Sequence, residues 1–131
     1  MSHFTQVKTV IRDREILCDA LRKRHYDFQE GENLTIRGYQ GNREKGQVVV
    51  KTGSEYDIGF QQQQDSSYAC CADWWGVQNN TAIKEDTFLK EVNRTYQDIS
   101  VRRQIREQGL IIEEEHVDEN GEITLVVCEP Y

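Results

Sequence analysis

The sequence predicts a single α+β domain spanning residues 1–131, in which two helices pack on one face of a mainly antiparallel sheet. Three observations predict this class. The length is close to the commonest size of one domain. Apolar residues recur at helical spacing in two segments. Most of the remaining chain alternates with a period of two, in short runs separated by polar turns.

The first half of the chain predicts one helix followed by an antiparallel meander. Residues 3–11 are rich in strand-forming residues, and Asp13 is placed to cap an amphipathic helix over 14–24. From Tyr26 to Trp74 the period becomes two. The strands predicted there, the last of them over 68–73, are joined by turns at 41–46, 53–54 and 65–67.

The second half predicts a loop, a long helix and a hairpin. The loop covers 76–81, and the helix runs over 84–108 and ends at Gly109. Two strands, 110–117 and 122–128, flank Asn120-Gly121, a strong hairpin signal. The predicted order is therefore β-α-β-β-β-β-α-β-β. A two-residue and a three-residue hairpin loop both remain open, so the pattern does not decide which of Glu113, Glu114 and Glu115 faces inward.

The charge is −7 and is unevenly distributed. Residues 1–52 hold ten basic and seven acidic side chains, whereas residues 53–131 hold six and sixteen. This excess of acid disfavours binding to nucleic acid or to an anionic membrane surface, and it suits a basic partner protein. No apolar run is long enough to span a bilayer, and the N-terminus lacks the pattern of a signal peptide. We therefore expect a cytoplasmic protein whose four cysteines are thiols.

Three blocks of sequence occur in an order that resembles a known family. They are the opening Ser2-His3-Phe4-Thr5-x-Val7-Lys8-Thr9-x-Ile11, the Asp73-Trp74-Trp75-Gly76-Val77 element, and a closing part with Tyr96, Gly109 and Asn120-Gly121-Glu122-Ile123. Together they resemble the hypothetical chloroplast reading frame thirty-five family, small cyanobacterial and plastid-encoded proteins of unassigned function. The resemblance implies a photosynthetic lineage and a cytosolic or stromal location. It supplies no catalytic residues.

Cys70 and Cys71 are the most conspicuous pair of chemically reactive residues. Neighbouring side chains on a strand point to opposite faces, so one metal ion is not easily bound by both. Neither Cys18 nor Cys128 supplies a further pair at metal-ligand spacing. The family resembled usually has a more aliphatic strand here, which gives a thiol role no support. Buried packing is therefore the preferred interpretation, with redox sensing or metal binding as the alternatives.

Acids, bases and arginines offer weaker signals. His3, His25 and His116 are scattered, which favours structural or solvated roles. A carboxylate of residues 113–115 facing inward would have a raised pKa and could act as an acid or base; the alternative is a charged edge strand that deters pairing. A basic helix surface is interleaved with acids, which indicates ion pairing and disfavours nucleic-acid binding. Its arginines are Arg94, Arg102, Arg103 and Arg106, and its acids are Glu91, Asp98 and Glu107.

Trp74 and Trp75 are the candidate binding residues. Adjacent tryptophans at a strand end leave one ring facing the core and one facing out, and an exposed tryptophan is typical of interaction hot spots. The alternative is that the loop and the following helix cover both rings. The sequence therefore favours a non-enzymatic accessory or adaptor protein that binds a protein partner and needs no cofactor or metal. The second hypothesis is an enzyme or small-ligand binder that uses a buried glutamate or histidine between helix and sheet.

Overall fold

The computed structural model describes residues 3–130, and these form seven strands and three α-helices. The α+β class and the antiparallel sheet are confirmed. Ser2 of the opening block lies outside the described residues. The elements are β1 (Thr5–Lys8), α1 (Arg14–Lys23), β2 (Asp27–Arg37), β3 (Arg43–Lys51), β4 (Asp57–Gln62), β5 (Tyr68–Ala72), α2 (Trp74–Asn80), α3 (Glu85–Glu107), β6 (Ile111–Val117) and β7 (Ile123–Cys128).

The strands form two sheets. Five strands lie in the order β1-β5-β4-β3-β2, and every neighbouring pair is antiparallel. The predicted meander from β2 to β5 is confirmed, and β1 adds to it beside β5. β6 and β7 form a separate antiparallel two-stranded sheet. No helix of the described residues is both long and apolar enough to cross a membrane.

The described residues divide into two compact units at Tyr96 and Gln97, within α3. The first unit holds the five-stranded sheet, α1, α2 and the beginning of α3. The second unit holds the end of α3 and the β6–β7 hairpin. A single domain over residues 1–131 stays a prediction.

One face of the five-stranded sheet carries the main core of the first unit. The strand register places on it Val48, Val50, Ile58, Phe60, Cys70 and Ala72, all fully buried. The ring of Phe88 on α3 lies 6.4 Å from that of Phe60, so α3 packs on this face. The helix α1 begins as predicted, since the Asp13 carboxylate accepts a hydrogen bond from the Ile16 N–H at 3.1 Å.

The other face is covered by the end of β2. A bulge between Glu30 and Leu34 interrupts the pairing of β2 with β3, and bulges bend a strand. Ile36 then lies over Gly59 of β4, so closely that a Cβ on Gly59 would be 2.1 Å from the Ile36 Cδ1. Because Ile36 occupies the side-chain position, β4 can hold only glycine there without rearrangement.

Two local predictions were wrong, and one open alternative was decided. The turn predicted at 41–46 lies earlier, at Tyr39–Gly41, where Gln40 and Gly41 adopt φ of 50° and 81° and reverse the chain. The loop predicted at 76–81 is mostly helix α2. The hairpin has the three-residue loop that the sequence left open, since the Asp118 N–H donates to the Glu122 carbonyl at 2.9 Å and residues 119–121 lie between them. The Asp118 carboxylate also accepts the N–H groups of Asn120 and Glu122, both at 2.8 Å.

Candidate binding surface at the Asp-Trp-Trp-Gly element

Asp73 starts α2 directly after β5. Its carboxylate accepts a hydrogen bond from the Gly76 N–H at 3.1 Å, which satisfies one of the free donors at the helix N-terminus. The side chain is buried. The cap therefore turns the chain from β5 to α2 at a single residue. The loop predicted from the composition of Gly76 to Thr81 did not take this cap into account.

The C-terminal end of α2 is also held by side chains. The Thr81 hydroxyl donates to the Val77 carbonyl at 2.8 Å and accepts from the Ile83 N–H at 3.0 Å. The Asn80 amide donates to the Gly76 carbonyl at 2.7 Å. Polar residues that are typical of loops thus pair with the helix backbone, which is why this segment forms a short helix.

Trp74 is a core residue. Its side chain is only 6% exposed, and its ring lies 5.8 Å from the Phe88 ring. Its indole Nε1–H has no hydrogen-bond acceptor among the described residues. Of the two candidate binding residues, Trp74 is the one that anchors α2 to the core.

Trp75 points the other way and is 57% exposed. Its backbone carbonyl accepts a hydrogen bond from the Asn79 side chain at 2.7 Å, which holds the first turn of α2 around it. The helix spacing separates the two neighbouring rings: one is in the core and one in solvent. The structure thus has the arrangement expected from adjacent tryptophans, and the alternative in which both rings are covered does not hold.

Gly76 completes the element by letting Tyr56 approach. A Cβ on Gly76 would lie 2.0 Å from Cε1 of the half-buried Tyr56 ring. Burial raises the pKa of Tyr56, and the Asp73 carboxylate adds to the increase. Tyr56 was not singled out by sequence reasoning, because nothing in the pattern shows that the β3–β4 turn meets α2.

A family of proteins of unknown function, DUF1257, matches residues 20–126, a range that includes this element. The chain belongs to the DUF1257 family. Three relatives, each named uncharacterized protein ycf35, cover 97% of this chain and 96% of their own length. The protein from Cyanophora paradoxa is 30% identical over 129 residues. Those from Guillardia theta and Pyropia yezoensis are 27% and 26% identical over 127 residues.

These matches confirm the resemblance to the hypothetical chloroplast reading frame thirty-five family. No solved structure matches the chain. The names of these relatives assign no activity, so the side chains of this DUF1257 protein are the guide to its chemistry.

Cys70 and Cys71 lie on opposite faces of β5 in this DUF1257 protein, as predicted. Cys70 pairs with Phe60 and Cys71 with Gly59 of β4. Both are buried. Burial raises the pKa of Cys71 to about 11 and that of Cys70 further, so neither thiol is poised to ionise near neutral pH. Among residues 3–130, no group of three or more cysteine, histidine or acidic side chains could hold a metal ion.

The second hypothesis requires a buried acid or base, and the described candidates are exposed. Glu113, Glu114 and Glu115 are all exposed on β6. The three histidines are exposed too, and they lie on separate segments. A contact between two of these groups joins His116 Nε2 to Glu114 Oε2 at 3.3 Å, at the surface.

A small open groove lies in the second unit. Its volume is about 240 Å³, and it is lined by Arg102, Ile105, Arg106, Leu110 and Ile112. Ligand pockets are usually about 300–1,000 Å³ and carry several convergent polar groups. Here Arg102 is already paired with Asp98 at 2.8 Å and with Glu115, so the predicted ion pairing of the basic helix surface is confirmed for this arginine.

Sequence reasoning also missed a buried charge cluster. Asp57 of β4 is fully buried and accepts hydrogen bonds from the Arg37 backbone N–H and guanidinium at 2.8 to 2.9 Å. Lys51 approaches at 3.4 Å. Burial by itself would raise the pKa of Asp57, but the bonds from Arg37 and the charge of Lys51 outweigh it and lower the pKa. The cluster fastens β2 to β4 and is a stabilising contact rather than a reactive site.

Proposed function

We propose that this protein is a non-enzymatic accessory or adaptor protein of a photosynthetic organism, and that it binds another protein through Trp75 and the adjoining surface of α2. The 57% exposure of the Trp75 side chain carries the proposal. The helix beneath it is held by the buried Asp73 and Trp74. A large aromatic ring on such a rigid support loses little conformational freedom on binding, which is typical of an interaction hot spot.

Charge supports a basic partner. Residues 53–131, which include this surface, hold sixteen acidic and six basic side chains. The exposed Glu55 adjoins Tyr56, whose ring contacts Gly76 beside Trp75. A lysine or arginine of the partner would lie over the indole face, and the net acidic charge of this protein would favour its approach.

The relatives support a cellular location, which belongs to the same proposal. Their shared name, ycf35, denotes a chloroplast reading frame. We place the protein in the cytoplasm of a cyanobacterium or in a plastid stroma. Its partner would then be a protein of that compartment.

Affinity capture with matched variants tests the proposal. Tagged wild type, Trp75→Ala and Val10→Ala are incubated with lysate from a photosynthetic cell, and each recovered partner is then purified and titrated. Val10 is the control because it is an apolar side chain of the same unit that is 69% exposed. We expect Trp75→Ala to weaken binding by about 30-fold or more, the loss typical of a hot-spot residue.

Val10→Ala should bind within roughly twofold of wild type, since a scattered exposed valine contributes little. Thermal unfolding of all three proteins checks that each is folded. The proposal fails if the partners and affinities of Trp75→Ala equal those of wild type. It also fails if Val10→Ala weakens binding as much as Trp75→Ala does.

A further inference from the structure

The second unit has no buried residue among residues 97–130. It nevertheless presents much apolar surface. Of the seven large hydrophobic side chains exposed in residues 3–130, five belong to it: Val101, Ile111, Val117, Val126 and Val127. An isolated two-stranded hairpin is marginally stable in water and gains from further strands or a covering layer. The second unit therefore exposes apolar surface that a further strand or a covering layer would bury.

The hairpin register shows which side is open. Glu115 is paired with Leu125, and Ile112 with Val127, so these residues share one side of the hairpin. The α3 helix approaches that side, since Arg102 is ion-paired with Glu115. The opposite side carries the exposed Ile111 and Val126 and the half-buried Cys128.

The two outer edges of the hairpin differ in charge. Within the described residues, β6 and β7 each have only the other as a hydrogen-bonded strand neighbour. The edge strand β6 carries Glu113, Glu114 and Glu115, and such charges deter edge-to-edge pairing. The six residues of β7, Ile123–Cys128, contain no charge, no proline and no glycine. An uncharged, β-branched edge of this kind pairs readily with another strand.

We propose that β7 pairs antiparallel with β7 of a second copy of this chain, which joins two hairpins into a four-stranded sheet. An uncharged strand paired with its own copy places apolar side chains opposite apolar side chains on both sides. Pairing through β6 would instead bring the glutamates of one copy against those of the other. The arrangement is two-fold symmetric, as most homodimers are.

The flanking charges limit the register. Glu122 and Glu129 lie just beyond the two ends of β7. If Leu125 lies on the two-fold axis, Glu122 is opposite Cys128 of the second copy. If Val126 lies there, Glu122 is opposite Pro130. The intermediate register would place Glu122 opposite Glu129, and directly opposed like charges are destabilising. Among registers in which a residue on the axis faces its own copy, those centred on Leu125 and Val126 pair the most of β7, five of its six residues, with β7 of the second copy. We therefore place the axis at Leu125 or Val126.

Sedimentation of the full chain with matched variants tests the dimer. In Val126→Lys the new lysine lies opposite Glu114 of its own hairpin, which preserves the hairpin. With Val126 on the axis the two lysines of the dimer face each other directly, and with Leu125 on the axis they are diagonal neighbours on one face of the sheet. Val101→Lys is the control, because Val101 has similar exposure, 44% against 39% for Val126, and lies on α3. We expect wild type and Val101→Lys to be dimers and Val126→Lys to dissociate at least about tenfold more readily.

Cysteine crosslinking tests the register. In a Cys128→Ser background, either Leu125→Cys or Val126→Cys should form an intermolecular disulfide under mild oxidation, because a residue on the axis faces its own copy. Val101→Cys should not. The proposal is overturned if wild type is a monomer, if Val126→Lys dimerises like wild type, if Val101→Lys also dissociates, or if neither position crosslinks.

The dimer and the Trp75 surface are tested independently. Trp75→Ala should remain a dimer, and Val126→Lys should keep its affinity for a partner bound through Trp75. A loss of dimerisation in Trp75→Ala would overturn the assignment of the dimer to β7.

Discussion

At the scale of single residues, Gly76 shows that a residue outside a sequence motif can determine which residue the motif holds at one position. An added Cβ would lie 2.0 Å from Cε1 of Tyr56, so the Tyr56 ring would have to shift to accept it. We predict that Gly76→Ala lowers the free energy of unfolding by about 1–3 kcal/mol, the usual cost of overpacking, as measured by urea denaturation.

Tyr56→Ala in the Gly76→Ala background identifies the cause. If the ring is responsible, the double variant should lose less than the sum of the two single losses, because the clash is absent once the ring is removed. Additive losses would show that Gly76 is required for another reason.

Asp57 makes stability depend on pH. Its pKa is lowered in the folded protein, against about 3.9 in the unfolded chain, so its stabilising contribution is present above that value and is lost as the pH falls through the folded pKa. We predict that Asp57→Asn lowers the free energy of unfolding by about 1–3 kcal/mol at neutral pH. The figure is moderate because the Arg37 side chain is 40% exposed, so water can solvate it once the carboxylate is removed.

Urea denaturation at neutral pH and at a pH below the folded pKa checks this sign. The difference in unfolding free energy between wild type and Asp57→Asn should be smaller in acid, where the wild-type carboxyl is also neutral. Glu55→Gln, at an exposed acid two residues away, is the control and should have little effect at either pH. A difference that stays constant with pH would show that the charge of Asp57 is not what stabilises the fold.

At the scale of elements, Tyr96 joins the start of α1 to α3 within the first unit. Its hydroxyl accepts hydrogen bonds from the backbone N–H groups of Arg12 and Asp13, at 3.1 and 3.0 Å. We predict that Tyr96→Phe costs about 1–2 kcal/mol of unfolding free energy, because two backbone donors lose their acceptor at a helix start.

Tyr26→Phe provides the comparison for this element contact. Tyr26 is half-buried and packs against Phe88, with ring centroids 5.1 Å apart, so its ring rather than its hydroxyl does the packing. The loss of unfolding free energy in Tyr26→Phe should stay under about 0.5 kcal/mol. Equal losses in the two variants would show that the Arg12 and Asp13 contacts contribute nothing particular.

At the scale of the whole molecule, the two units should differ in local stability. The first contains every buried residue of 3–130, and the second contains none. Opening a region with few buried contacts costs less free energy. We predict that amides of β6 exchange with deuterium at least roughly a hundredfold faster than those of β4, as measured by hydrogen exchange and mass spectrometry.

Protein concentration separates this prediction from dimerisation. At low concentration β7 should exchange as fast as β6, and at high concentration the pairing proposed above should protect it while β4 remains unchanged. Uniform protection across β4, β6 and β7 in dilute monomer would contradict the division into a stable and a labile unit.

Local patterns determined most of the elements before any coordinates. Period-two alternation indicated β2 to β5, helical spacing indicated α1 and α3, and Asn120-Gly121 marked the final hairpin, because each signal depends on residues close together in the chain. The family resemblance was likewise present in the sequence. Adjacent tryptophans at a strand end also implied one inward and one outward ring.

Only the tertiary structure decided which of the two tryptophan rings is buried and which residues surround it. Burial of Trp74 depends on Phe88, and the glycine at 76 depends on Tyr56, so both follow from contacts between segments distant in sequence. The same holds for the buried Asp57 and for the exposure of the glutamates on β6. Side-chain periodicity reports that one face of an element is buried, whereas the identity of the covering residues is set by how the elements pack.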